Sequence, residues 1–234
     1  MNTPTKHRNL KLAAWEIGCV FWIVLAGSML HFAFELSEYW TPMALIAAVN
    51  ESIWEHLKMY FWPGLAFALV QYTYSRSYSN NYWLGKAAAL IVTPTIIIIA
   101  FQSYVGYAES AGFTPSLASM LGIMFTGIAA GQLASYLILS AEPFGITVRR
   151  VAPAAWILVV SAFSAFTYYP PKVSLFENFA CYTYTGEYGI LEDYEPYRVF
   201  AQVDANGEME EGLGMNYCAT FKSKAVAKLT VEQE

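Results

Sequence analysis

The chain has 234 residues, of which 56% are hydrophobic and 17% aromatic, while only 13% carry charge. Soluble domains carry about 25% charged residues, so this composition, with a mean hydropathy of +0.37, fits lipid as the solvent. The net charge of -5 is segregated: the chain is largely apolar from Leu12 to Pro170 and polar and acidic from Glu177 onward, which excludes a large soluble core and a basic nucleic-acid-binding face.

A helix needs about 20 apolar residues to cross about 30 Å of hydrocarbon. Five segments qualify as an all-α bundle of transmembrane helices: 13–34, 57–74, 84–104, 117–139 and 151–168. Residues 1–170 thus form a membrane domain, and 171–234 an irregular polar tail. In the first segment, Lys6, Arg8 and Lys11 before an apolar run also describe a signal peptide, with Ala26-Gly27-Ser28 as its cleavage site. The run continues to Phe34, beyond the roughly 7–15 residues of a signal core, which favours a retained helix. Glu16, near its inner end, is expected to pair with Lys11 or to snorkel.

The basic residues near the spans alternate. Lys6, Arg8 and Lys11 precede the first; Arg76 and Lys86 flank the second connection; Arg149 and Arg150 flank the fourth; the connections at 37–50 and 106–116 carry none. By the positive-inside rule the N-terminus is cytoplasmic and the tail external or periplasmic, in a cell (inner) membrane. Pro63 and Pro94 predict kinks. Gly122, Gly127 and Gly131 on the fourth span predict close helix packing. Tryptophans and tyrosines near the span ends fit interfacial belts.

Ionisable groups at membrane depth cost roughly 2.5–3.5 kcal/mol each on insertion scales, and here they gather at one end of two helices. His31 and Glu35 are four apart, on one helix face. The second helix is opened by Asn50, Glu51, Ser52, Ile53, Trp54, Glu55, His56, Leu57 and Lys58. Asn50 reads as its N-cap, Glu51 and Glu55 as one face a turn apart, and Lys58 as a cation able to neutralise a carboxylate. Both segments reach the outer interface, so His31, Glu35, Glu51, Glu55 and His56 are candidate ligands of a divalent metal: imidazole with carboxylate suits Zn, Fe or Mn. Asn50, Lys58, Gln102 and Gln132 are candidate supporting groups. Other readings stand beside this one: a proton relay among the same residues, a solvated first turn with Glu38 as a loop charge, and an ion pair of Lys58 with Glu51 or Glu55. The H-E-x-x-H spacing is absent, as are P-loop, G-x-S-x-G and C-x-x-C motifs. Cys19 lies in the first span, whereas Cys181 and Cys218 lie in the tail, where an oxidising compartment would allow a disulfide and two free thiols are as acceptable.

The string NESIWEHLK at 50–58, followed by Met59-Tyr60-Phe61-Trp62-Pro63, resembles a prokaryotic membrane family, domain of unknown function 6512. The likeness extends to Trp15-Glu16, Gly27-Ser28 with His31-Phe32, and Glu35. It includes Gly131-Gln132 with Ser135-Tyr136, then Phe166-Thr167-Tyr168-Tyr169-Pro170-Pro171, Leu175-Phe176 and Tyr188-Gly189-Ile190. It covers residues 12–190 and implies a multi-span membrane protein without an established activity; residues 191–234 read as an extension. The leading expectation is an outer-facing Glu/His pocket, roofed by residues 168–190, that binds a metal ion or supports metal-dependent membrane chemistry. The rivals are a non-catalytic subunit or assembly factor, meeting other membrane subunits through the aromatic spans and acidic tail, and a small transporter.

Overall fold

A computed structural model describes residues 3–145, 150–179, 186–192 and 194. The described residues are helical: α1 (Thr3–Leu36), a 3₁₀ turn (Thr41–Leu45), α2 (Ile53–Ser75), α3 (Tyr82–Ala111), α4 (Leu117–Ser140) and α5 (Val151–Ala165). They contain no strand, only an isolated antiparallel bridge between Glu177 and Tyr188. Three helices, α1, α3 and α4, are long and apolar enough to cross a membrane, and α5 is apolar but only 15 residues long. The chain divides into two compact units, Met1–Met29 with Leu57–Ser164, and Leu30–His56 with the chain from Ala165 onward.

In the first unit much of α2 is buried, and its interior polar groups, Lys58, Gln71 and Ser75, face protein rather than lipid. Gly27 of α1 packs against the Met59 carbonyl, and Gly64 against Leu90 and Ile23. The Phe61 ring stacks on Phe163 of α5 at 4.3 Å, and Tyr72 meets Tyr82 and Trp83 of α3. The Met59 carbonyl is the one Pro63 leaves without a helix donor, and a side chain on Gly27 would run into it at 2.5 Å. Close packing of α3 on α4 uses Gly127 against Ile97 and Gly131 against Thr93. Gly122 meets nothing within 4 Å, so the expected packing role does not extend to it. Ser116 caps α4, its hydroxyl accepting from the Ser119 amide.

Glu16 does not pair with Lys11. Its carboxylate accepts from Lys86 Nζ at 2.6 and 2.8 Å and from Gln71 Nε2 at 2.8 Å. All three residues are buried, and the trio ties α1, α2 and α3 together. Lys86 is therefore an interior cation of α3 and not the loop charge its position suggests. Lys11 lies over the Tyr78 ring instead.

The second unit is built on aromatic clusters. Phe34, Tyr39 and Tyr194 pack together, with Tyr39 and Tyr194 stacked at 4.5 Å, over Ala44, Ala47 and Val49. Trp54, Phe166 and Phe176 form a second triad with ring centroids 4.8–5.5 Å apart. Cys181, Cys218 and residues 195–234, including the disulfide expected of the tail, lie outside the described residues.

Candidate metal centre

The site lies wholly in the second unit and begins with how the chain reverses after α1. Glu38 and Tyr39 adopt left-handed backbone, φ 51° and 57°, and the amides of Glu38 and Tyr39 donate back to the carbonyls of Glu35 and Phe34. After the 3₁₀ turn comes the short segment 46–52. Asn50 is not the cap of α2. Its Oδ1 accepts from the Ser52 amide in an Asx turn, and its Nδ2 donates to the Gly189 carbonyl at 2.7 Å. Ser52 is the cap, its hydroxyl accepting from the Glu55 amide at 3.2 Å, as the S-x-x-E pattern allows. Glu51 therefore precedes the helix, and it does not share a helical face with Glu55.

Residues distant in sequence fix this segment. The Glu51 amide donates to Asn178 Oδ1 and the Trp54 amide to the Leu175 carbonyl. Asn178 is itself clamped, its amide donating to the Glu187 carbonyl and its Nδ2 to the Glu187 carboxylate. Gly189, at φ +65°, comes so close to the Thr167 carbonyl that a side chain would meet it at 2.7 Å. These are the described parts of the 168–190 stretch; they brace the ligand-bearing segment from behind, and the tail residue that lines the cavity is Tyr194.

Three of the five candidate ligands come together. His31 Nε2 lies 3.8 Å from Glu51 Oε1, and His56 Nε2 lies 3.4 Å from Glu51 Oε2, with side chains 25%, 18% and 32% exposed for His31, His56 and Glu51. The two imidazoles meet edge to face at 5.2 Å, and one ligand atom from each of the three residues lies within 4.8 Å of the others. Glu35 lines the adjoining cavity with His31, Phe32, Asn50, Glu51 and Tyr194, but stands outside this close group. The cavity measures about 50 Å³, room for a few water molecules.

Glu55 has another role. Buried to 2% exposure, its Oε2 accepts from the Val49 amide and its Oε1 from the Thr167 hydroxyl. The carboxylate is a brace between the ligand segment and Thr167, both in the second unit. Of the supporting groups, Asn50 belongs to this unit; Lys58 (buried), Gln102 (exposed) and Gln132 (buried) belong to the other. Asn178, Glu187 and Thr167 were invisible as site elements in the sequence, since only long-range pairing gives them a role.

The hydrogen bonding of His56 decides its chemistry. Its Nδ1 lies 2.9 Å from the Ser52 carbonyl, and a carbonyl only accepts, so Nδ1 carries the proton. Nε2 is then left facing the Glu51 carboxylate, which it meets as a donor when the ring is protonated, or as a lone pair when the two groups share a metal cation. At 3.4 Å the separation exceeds a charge-assisted hydrogen bond of about 2.7–2.9 Å. Two ligands on a tetrahedral ion, with bonds of about 2.0–2.2 Å, stand about 3.3–3.5 Å apart. A ring nitrogen donating to a backbone carbonyl is also the usual support of a metal-ligating His. Burial pushes the Glu51 carboxyl up, but the His56 hydrogen bond and the charges of His56 and His31 outweigh it and hold the group lowered to about 2.

Among known proteins, no curated protein and no solved structure matches the chain. One family model does, described as a family of unknown function (DUF6512), over residues 5–190. That span is most of the chain and takes in α1 to α5 together with His31, Glu51, His56 and the Asn178–Gly189 brace, so the protein is a member of the DUF6512 family of unknown function.

Proposed function

We propose that the protein is an integral membrane protein whose His31–Glu51–His56 group holds one divalent metal ion, Zn, Fe or Mn, at the outer face of the membrane. The observation that carries this reading is the convergence of His31, Glu51 and His56, one ligand atom from each within 4.8 Å of the others, with His56 Nδ1 engaged by the Ser52 carbonyl and Nε2 left facing Glu51 Oε2. Three protein ligands leave a coordination position open, as in catalytic rather than structural zinc sites, and a cavity adjoins the ligands. Such an ion would lower the pKa of a bound water or polarise a carbonyl or phosphoryl oxygen. Within the cavity, Glu35 is the carboxylate placed to accept a proton without being a member of the ligand group.

The membrane reading goes with five crossings, α1 to α5, and a cytoplasmic N-terminus. At 1.5 Å per residue α5 spans only about 22 Å, so its crossing would rely on local thinning or on flanking polar residues. Elemental analysis of the purified protein, followed by Zn, Mn and Fe(II) titration of chelator-treated samples, tests the metal. About one ion per chain is expected, lost in His56→Ala and Glu51→Gln and retained in Glu38→Gln, whose side chain is exposed. Protein that carries no metal and takes up none would overturn the reading and leave a histidine-protonated ion cluster.

A further inference from the structure

The first unit has a small cavity of its own, about 10 Å³, at the meeting of α1, α2, α3 and α4, walled by Ile23, Tyr60, Leu90, Thr93, Pro94 and Gln132 among others. Most of this wall is apolar, yet two of the residues that line it carry buried polar atoms without partners among the described residues. Tyr60 is 6% exposed and its hydroxyl meets no hydrogen-bond partner; Gln132 is 4% exposed and its amide oxygen meets none. Pro94 has no N–H, so the carbonyl of Leu90, four residues earlier in α3, loses its helix donor. Gly131 lets this happen: a side chain there would run into Thr93 Oγ1, so only glycine brings its neighbour Gln132 up to α3.

We propose that this cavity is a built site for a single water molecule. One water needs about 10–15 Å³ of such space and two to four polar partners, and the wall supplies both. Water donates two hydrogen bonds, matching the two acceptors, Gln132 Oε1 and the Leu90 carbonyl, and it accepts one from the Tyr60 hydroxyl. The donor set of neutral oxygens would also suit a small cation. No carboxylate lines the cavity, however, and an uncompensated charge in a low-dielectric interior is far costlier than a neutral molecule. The water joins α2 and α4 to the proline-interrupted segment of α3, which is how a proline inside a membrane helix is accommodated when lipid offers no donor.

Tyr82 supplies an internal control. It belongs to the same unit and is equally buried, 6% exposed, but its hydroxyl donates to the Ala68 carbonyl. Radiolytic hydroxyl labelling with mass-spectrometric readout modifies buried side chains only where ordered water lies beside them. In the detergent-purified wild-type protein Tyr60 is expected to be labelled several-fold faster than Tyr82, and Gln132→Met is expected to slow Tyr60 to the Tyr82 rate. Equal slow labelling of both tyrosines in the wild type would overturn the proposal, whether or not the Gln132 variant folds. Replacing sodium by choline in the buffer is expected to leave the melting temperature unchanged; a sodium-dependent rise would show a cation site instead.

Discussion

Glu51 is exposed by about a third and yet its carboxyl is held down to about 2, because His56 hydrogen-bonds it and His31 adds positive charge, together outweighing the cost of burial. A group whose folded pKa lies below its unfolded value contributes stability above the unfolded value and loses it as pH falls through the folded one. For Glu51 that window runs from the ordinary 4.5 down to about 2. In metal-free protein, the melting difference between wild type and Glu51→Gln should therefore be largest just above pH 4.5, shrink steadily below it, and decline again at higher pH as the histidines lose the charge that holds Glu51 down. Metal loading should fail in a different window. Ligating imidazoles must be neutral, so affinity should fall as acid protonates His31 and His56, with no further carboxylate step near 4.5. An inflection near 4.5 in metal release would mean Glu51 is not held as described. His31, Glu51 and His56 were legible as candidates because His and Glu are rare in apolar segments, while Glu35 and Glu55, candidates on the same ground, stand outside the close group. That Glu55 would be consumed by Val49 and Thr167 was not, since nothing local marks Thr167.

Helices α1, α2 and α3 are joined in the first unit by Glu16, Gln71 and Lys86, with Lys86 and Glu16 side chains 3% and 4% exposed. A buried ion pair is expensive to form and more expensive to break, because removing one partner strands the other charge. Glu16→Gln alone or Lys86→Met alone should cost roughly 3–5 kcal/mol, whereas Glu16→Leu with Lys86→Met should recover most of the loss. Melting of the detergent-solubilised variants reads the difference. Additive single and double effects would mean the two residues act independently. The positions of two helices were readable: the segments expected at 84–104 and 117–139 fall within α3 (Tyr82–Ala111) and α4 (Leu117–Ser140), since long apolar runs need no tertiary information, although α3 runs on past the expected end. The start of α2 was less so. Asn50 and Ser52 are both good capping residues, and the Gly189 carbonyl engages the Asn50 side chain, leaving Ser52 to cap.

For the whole molecule, the expected orientation rests on charge alone, and one of the charges counted for it now carries different weight. Lys86 is buried in the first unit, so it does not report on loop position, and the second connection rests on Arg76. The bias survives this removal. Lys6, Arg8 and Lys11, Arg76, then Arg149 and Arg150 still fall on alternate connections, while residues 37–50 and 106–116 have no Lys or Arg; Lys172, just past α5, runs against the pattern. Because the rule counts Lys and Arg near span ends and the first helix usually dominates, the three basic residues in the N-terminal turns of α1 should hold the N-terminus in the cytoplasm. Reporter fusions after Arg76 and Arg150 should then read cytoplasmic, and fusions after Gly112 and Glu192 external. The fusion pair around α5 is the discriminating one, because that helix has only 15 residues. If Arg150 and Glu192 read on the same side, α5 does not cross, and the chain has four crossings. Were the fusion after Gly112 cytoplasmic, the bias would have misled from the start. The metal group, at the end of α1 and the start of α2, would then lie on the cytoplasmic face, where any substrate would have to be sought.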